Sequence, residues 1–347
     1  MTEIVRVLVV DDSAYVRKVF KEMLSRSPFI EVVGTSRDGS EALAQVAELE
    51  PDVVTCDLNM PGMDGVTFVR TQMARRPVPI LVVSIASAAA EQVLAALEAG
   101  AVDFIQKPTA LATDRLTEIS SELIEKVRVA AHAAPMRAIL PPEALSRDKV
   151  LKPLATKAAV DIVVIGTSTG GPQALKLVLS RIPADCPVPI AMVLHMPIGY
   201  TEMYAAKLNE LVPLKVLESK GGEALTAGTA YLAPAGRHLT LSRESSGVVR
   251  TRLSLHPLDT PHRPAVDVLF HSAAEVFGGR VLGVVMTGMG SDGRQGSAWI
   301  KAKGGRIITE AEESCVVYGM PRSVVEAGLS DVSAPLEEIA QCIMEVV

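Results

Sequence analysis

The chain has 347 residues, 48% of them hydrophobic, 21% charged and 3% aromatic, a length that suits about two domains and a composition that excludes wholesale disorder. With so few rings the cores must come from Val, Ile, Leu, Ala and Met, and a stacking surface for single-stranded nucleic acid is excluded. The net charge of −6 lies in the first 130 residues, which hold 13 basic and 19 acidic side chains against 21 of each in the rest, so neither part has the basic surplus of a nucleic-acid backbone binder.

Cys56, Cys186, Cys315 and Cys342 lie far apart with no CxxC pair, which reads as reduced cytosolic thiols rather than a disulfide frame or zinc site. The opening MTEIVRVLVVDDS lacks the basic-then-apolar layout of a secretory signal. No apolar run reaches the roughly 18 residues of a membrane span. A cytoplasmic protein without a membrane span is expected.

Strands are predicted at 4–10, 31–35, 52–57, 80–84 and 102–105, separated by amphipathic stretches. In the stretch 14–24, Val16, Val19, Phe20, Met23 and Leu24 recur at near-helical spacing. This alternation implies a parallel sheet with helices on both faces, and runs such as VRVLVV suit strands buried on both sides. In such a sheet the loops at the carboxyl ends of the strands share one crevice. Asp11 and Asp12 end the first strand, Asp57 the third and Ser84 the fourth, and Lys107 follows the fifth. Three carboxylates so close repel unless a cation is present, and their oxygen ligands suit Mg²⁺. A carboxylate beside Mg²⁺ can accept a phosphoryl group as an aspartyl phosphate. The bland alternative, helix caps or solvated loop residues, is preferred only for Asp64, which precedes a helix.

These residues carry a resemblance. VVDDS, DLNMPGMDG, Ser84 and QKP stand in the order and spacing of a response-regulator receiver domain over about 125 residues. The resemblance implies that Asp57 is the phosphoacceptor and that Asp11, Asp12 and Asp57, with the backbone carbonyl of Asn59, hold Mg²⁺. It also implies that Ser84 and Lys107 sense the phosphoryl group and that Phe104 is an aromatic switch. The donor would be a histidine kinase.

Residues 131–158 are rich in Ala, Pro and basic residues, and Pro135, Pro141, Pro142 and Pro153 prevent one continuous helix. They read as a linker between domains at 1–130 and 159–347. Beyond them DIVVIG, PIAMVLH and RVLGVVMTG read as strands, with helices predicted at 172–179, 201–211, 265–277, 294–301 and 336–346. The stretch of about 214–255 reads as shorter strands forming a small antiparallel addition.

DIVVIG runs into Gly166-Thr167-Ser168-Thr169-Gly170-Gly171 and then a helix opened by Pro172. This is G-x-S-x-G at a strand–turn–helix, where a sharp turn exposes a serine Oγ beside backbone N–H groups. A Gly-rich turn of this kind also binds phosphates, so the motif alone decides little. A serine nucleophile needs a base, and the base an orienting carboxylate. Of six histidines, His195 closes the next strand and falls on the same rim. His132 lies in the linker, His238 and His256 flank the short strands, His262 is in a Pro-rich loop and His271 is in a helical pattern, all placements that suit structural roles. Asp292 follows RVLGVVMTGMGS past another strand end. Asp267, inside a helical pattern, reads as a surface or cap residue, and Asp259 stays open as an alternative. The order Ser–His–Asp differs from that of α/β-hydrolases.

GTSTGG, LHMP, YLAPAGRHL, VDVLF and TGMGSDG resemble the catalytic domain of the chemotaxis methylesterases. With the receiver, nearly the whole chain resembles the CheB family of protein-glutamate methylesterases/protein-glutamine deamidases. The resemblance implies an α/β fold of two doubly wound parallel-sheet domains, a flavodoxin-like receiver and a Rossmann-like methylesterase domain joined by the linker. Ser168 would be the nucleophile, His195 the base and acid, and Asp292 the orienter, with backbone N–H groups of Thr169 and Met289 at the oxyanion. No cofactor is expected for the hydrolysis itself. Partners would be methyl-accepting chemotaxis receptors as substrate and a chemotaxis-type histidine kinase, with no nucleic acid. The unphosphorylated receiver would cover the catalytic mouth. The rival readings are a non-enzymatic, phosphorylation-dependent binding module and a nucleotide-binding enzyme. The second is weakened because GTSTGG lacks the P-loop Lys and the G-x-G-x-x-G spacing.

Overall fold

Apolar, β-branched runs become the central strands, and the amphipathic stretches between them become the covering helices. The computed structural model describes residues 4–84, 90–107, 113–131 and 160–347, with the backbone alone for 113–118. Past Ala131 the expected linker lies outside the described residues, as do His132 and Pro108. The chain divides into two compact units, Met1–Leu145 and Ser146–Val347.

In the first unit β1 (Val5–Val10), α1 (Ala14–Leu24), β2 (Ile30–Ser36), α2 (Gly39–Leu49), β3 (Val53–Asp57), α3 (Gly65–Arg75), β4 (Ile80–Ser84), α4 (Ala90–Glu98), β5 (Asp103–Gln106) and α5 (Thr113–Ala131) alternate. The five strands are parallel, in the order β2-β1-β3-β4-β5. β3 and β4 are buried along their whole length, as strands covered on both faces must be. Helix starts are marked by short polar side chains: Asp38 accepts from the N–H groups of Ser40 and Glu41. Asp64 caps α3 by accepting from the N–H of Thr67, the local role its sequence position suggests. The chain leaves β1 for β2 and returns to β3 on the other side, so the crevice opens between the ends of β1 and β3.

The second unit runs β6 (Ile162–Thr167), α6 (Gly171–Arg181), β7 (Ile190–Leu194), α7 (Thr201–Leu211), β8 (Lys215–Glu218), β9 (Thr229–Leu232), β10 (His238–Arg243), β11 (Val249–Ser254) and α8 (Val266–Phe277). It continues through β12 (Val281–Val285), α9 (Arg294–Ala302), β13 (Arg306–Glu310), α10 (Met320–Glu326), β14 (Val332–Ala334) and α11 (Leu336–Met344). Seven parallel strands form one sheet in the order β14-β13-β12-β6-β7-β9-β8. β6, β7 and β12 are wholly buried. Of the predicted addition, β10 and β11 form an antiparallel pair. β8 and β9 instead extend the main sheet in parallel, with α7 supplying the crossover from β7 to β8. Strand order reverses between β6 and β12, so the loops after β6, β7 and β12 meet at one rim.

The core of this unit is aliphatic around Phe270, with Ile162, Val164, Val193, Leu239, Leu269 and Val285 packed together. Each such side chain, fully buried, contributes roughly 1.5–3 kcal/mol. That rigidity holds the rim loops in register.

Candidate active site

At the rim of the first sheet the described carboxylates of Asp11, Asp12 and Asp57 bring ligand oxygens within 4.8 Å of one another. Asp11 and Asp57 are buried and Asp12 is exposed. Lys107 Nζ reaches both buried partners, at 2.6 Å from Asp11 and 2.7 Å from Asp57. Asp57 Oδ1 also accepts from the N–H of Leu58 at 2.8 Å, and Asp11 Oδ1 from that of Ser13 at 2.9 Å. Burial pushes the Asp11 carboxyl above the usual carboxylate range, with the charge of Asp57 adding to this and Lys107 opposing it. Burial works against the Lys107 ammonium, yet its bonds to Asp11 and Asp57 outweigh that and hold its pKa up. One ammonium against three carboxylates leaves an excess of negative charge on hard oxygen ligands, and this donor set fits a divalent cation such as Mg²⁺. Asn59 stands two residues past Asp57 in the exposed part of the loop. Ser84 is fully buried at the end of β4, and its carbonyl accepts from the Lys107 N–H at 2.7 Å. Phe104 is buried in β5, where Lys126 Nζ donates to its carbonyl at 2.7 Å and lies 5.9 Å from its ring centroid.

At the rim of the second sheet Ser168 sits in the turn between β6 and α6 and is partly exposed. Gly170 makes this turn with φ +79, a backbone angle that a side chain resists. Gly288 lets the neighbouring loop close in, since a Cβ there would lie 2.8 Å from Ser168 Cβ and closer still to Met320 Sδ.

His195 follows β7, and its N–H donates to the Thr167 carbonyl at 3.2 Å. Its Nε2 lies 2.8 Å from Asp292 Oδ2. Both side chains are nearly buried, at 9% and 10% exposure. A carboxylate on Nε2 favours the proton there and leaves the lone pair on Nδ1. Nδ1 is buried and makes no hydrogen bond among the described residues, the Ser168 hydroxyl included. Burial works against the charge on Asp292, but the His195 bond and the backbone donors outweigh it and hold its pKa below the usual range. Those donors are the N–H of Val266 at 2.7 Å and of Asp267 at 2.9 Å, so Asp292 also caps α8.

The expected oxyanion residues flank Ser168. The Ser168 carbonyl accepts from Gly171 N–H at 2.7 Å, and the Gly288 carbonyl from Met320 N–H at 2.8 Å and Gly319 N–H at 3.1 Å. In a trans peptide N–H and C=O point oppositely. The N–H of Thr169 and that of Met289 are therefore directed away from those partners.

Three further residues build this rim. Thr287 ties three loops together: its carbonyl accepts from Ser168 N–H at 3.0 Å and from Thr167 Oγ1 at 2.7 Å. Its hydroxyl donates to the Thr169 carbonyl and accepts from Val317 N–H, both at 3.0 Å. Its own N–H donates to Glu310 Oε2 at 2.8 Å. Glu310 is fully buried at the end of β13, and burial pushes its carboxyl up to about 7. Asp267, expected as a surface or cap residue, is half-buried and acts as a cap, though of a helix other than its own. Its Oδ1 accepts from Gly293 N–H at 2.9 Å and Gly296 N–H at 2.6 Å, capping α9 while Asp292 caps α8. Burial, helped by the charge of Asp292, raises its carboxyl to about 6. Among the described residues the carboxylate that His195 meets is Asp292, which sets aside Asp259 as the orienter. Of these three rim residues, Glu310 left no readable signal in the sequence.

The two units match known families. The model described as "CheB methylesterase" matches residues 163–343, and "Response regulator receiver domain" matches 7–119. The protein-glutamate methylesterase/protein-glutamine glutaminase 5 of Myxococcus xanthus is 52% identical over 335 residues, covering 96% of this chain and 95% of that protein. The protein-glutamate methylesterase/protein-glutamine glutaminase of Geobacillus kaustophilus is 43% identical over 345 residues, covering 99% of each. The crystal structure of the Thermotoga maritima CheB methylesterase catalytic domain superposes with a TM-score of 0.53 at 40% identity, covering 54% of this chain and 99% of that one. This chain belongs to the CheB methylesterase family and carries a response regulator receiver domain ahead of its methylesterase domain.

Proposed function

We infer that this chain is a phosphorylation-regulated protein-glutamate methylesterase and protein-glutamine glutaminase that acts on methyl-accepting chemotaxis receptors. The observation that carries the reading is the 2.8 Å contact between His195 Nε2 and Asp292 Oδ2 beside the partly exposed Ser168 turn. Ser168 Oγ attacks the γ-carbonyl carbon of a methylated glutamyl side chain, and His195 Nδ1 takes the serine proton. The oxyanion is held by the N–H groups of Thr169 and Met289. His195 then passes the proton to the departing methoxide, which leaves as methanol. Water attacks the acyl-serine, His195 accepts its proton and returns it to Ser168 Oγ, and a glutamate is left on the receptor. Asp292 holds the imidazole in the required tautomer and steadies its positive charge. With a glutamine side chain the same steps release ammonia.

In the receiver, Asp57 accepts a phosphoryl group from a chemotaxis-type histidine kinase. Asp11, Asp12 and Asp57, with the Asn59 carbonyl, would hold Mg²⁺, which supplies neutralising charge for phosphoryl transfer when bound. Lys107 and Ser84 hold the phosphoryl oxygens, and buried Phe104 repacks with them. The unphosphorylated receiver keeps the esterase closed. Moving such an equilibrium from 1:99 to 99:1 needs about 5.5 kcal/mol, a reasonable demand on a new dianion beside a packed face. The four free cysteines suit work in the reducing cytoplasm.

The test is methanol release from methylated receptor. Ser168→Ala should lower it by about 10⁴-fold or more while Asp57 still takes phosphate from acetyl phosphate. Retained methanol release by that variant overturns the assignment.

A further inference from the structure

The imidazole of His195 is anchored by its Cβ–Cγ bond and by one hydrogen bond at Nε2, and a single hydrogen bond still lets the ring plane rock. Proton transfer at Nδ1 needs the whole ring plane fixed. A second imidazole supplies that constraint. The ring of His262 lies on the ring of His195 with centroids 4.1 Å apart and planes 25° apart, close to the geometry of stacked rings.

The loop that carries His262 is itself tied down. His238, fully buried at the start of β10, accepts from Ala265 N–H at its Nδ1 (3.2 Å). Its Nε2 lies 3.1 Å from the Pro257 carbonyl and 3.2 Å from Thr260 Oγ1. Gly236 N–H donates to the Arg263 carbonyl at 2.9 Å, and Arg263 Nη2 to the Leu258 carbonyl at 3.2 Å. The loop is thus held on both sides of position 262. Because His238 Nδ1 accepts a hydrogen bond and so carries no proton, that ring is neutral, in keeping with the way burial lowers its pKa.

We propose that His262 is a positioning residue of the esterase: its ring holds the plane of His195, aims Nδ1 at Ser168, and offers a π face to the imidazolium that forms in the transition state. This rests on the Ser168–His195–Asp292 reading. A neutral aromatic face attracts a cation lying over it, so the contact strengthens when His195 takes the serine proton. Contacts that strengthen in the transition state raise kcat rather than lower KM. Among the described residues, the charged or titratable groups about the pair include Asp292 on the Nε2 edge, Arg263 next in the chain, His238 in the strand that holds the loop and Asp267 beyond Asp292.

The experiment measures kcat and KM for methanol release with the full chain carrying His262→Ala, His262→Leu or His262→Phe, each with acetyl phosphate. Ala should lower kcat by about 10-fold or more with KM little changed, since small displacements of a catalytic group can cost up to about 10²-fold. Phe should restore most of the loss, and Leu, which fills space without a π face, should not. Equal rescue by Leu and Phe, no rescue by Phe, or an Ala variant as fast as the unaltered chain overturns the proposal. If the Ala variant does not fold, the comparison of Phe with Leu decides. Ser168→Ala in the same assay separates the two levels. An active Ser168→Ala overturns the triad itself, whereas an inactive one beside an unaffected His262→Ala overturns only the role of His262.

Discussion

At the rim of the first sheet three carboxylates face one ammonium. At the rim of the second, one carboxylate faces one imidazole and draws its remaining hydrogen bonds from the backbone N–H groups of Val266 and Asp267. Both clusters stand at the carboxyl ends of parallel strands where strand order reverses. The first carries an excess of negative charge on hard oxygen ligands. The second is closer to balance: Asp292 accepts from His195 and from two backbone N–H groups. The same crevice geometry thus gathers a carboxylate-rich cluster in one unit and a carboxylate–imidazole pair beside a serine turn in the other. What decides between them is which side chains the strand ends carry.

The contrast can be broken most severely at Asp292. Asp292→Asn keeps the volume but offers an amide where an anion stood, so the His195 tautomer is no longer imposed. A drop in kcat of about 10⁴-fold is expected from comparable changes to serine triads. Loss of part of the α8 cap would add a destabilisation of about 1 kcal/mol. Steady-state methanol release and thermal unfolding measure the two separately. A variant within tenfold of the parent (about 1.4 kcal/mol, by transition-state arithmetic) would show that the second centre does not depend on its carboxylate.

The corresponding change in the first unit should act on regulation alone. Asp57→Asn removes the acceptor and leaves the second rim untouched. Methanol release should stay at its unstimulated rate and no longer respond to acetyl phosphate. A chain that starts at Leu154 should run at the stimulated rate with or without acetyl phosphate. If the shortened chain is no faster than the unphosphorylated full chain, the receiver does not cover the mouth and the coupling works by other means.

The residues that carry these tests were legible because a parallel sheet gathers its strand ends. Asp11, Asp57 and Lys107, and likewise Ser168, His195 and Asp292, each follow a recognisable apolar run, so pattern alone brings them to a common rim. The sheet membership was less legible: β8 and β9 are four residues each, too short for their pattern to show that they pair with the main sheet. Glu310 and His262 could not be read, and for Asp267 the capping role was legible but not the helix it caps. A carboxylate in a helical pattern reads as a surface or cap residue, but the amides that Asp267 caps are 26 and 29 positions away. Glu310 ends a strand without a motif, and His262 meets His195 only through the folding of a loop held by His238.

Glu310 offers the smallest and most specific test of the second rim. Its carboxyl moves from 4.5 to about 7 on burial, so between those values the folded chain keeps a proton that the unfolded chain has released. Folding then takes up a proton, and the stability of this unit falls as pH rises through that window. Above the window the full cost is roughly 3 kcal/mol, because each pH unit between the two values costs about 1.4 kcal/mol. Glu310→Gln keeps an acceptor for Thr287 N–H and an amide for Ser314 Oγ, but it cannot ionise. It should therefore raise stability by up to roughly 3 kcal/mol at about pH 8 and change it little at about pH 4. Trp299, the chain's single tryptophan, lies in α9 and is 48% exposed, so its emission follows the unfolding of the second unit alone. Since Thr287 keeps its bond to Ser168, methanol release should change far less than with Asp292→Asn. Equal stabilities of parent and variant at the higher pH would mean that the buried carboxylate costs nothing, and that the rim tolerates an uncompensated charge as the first unit does.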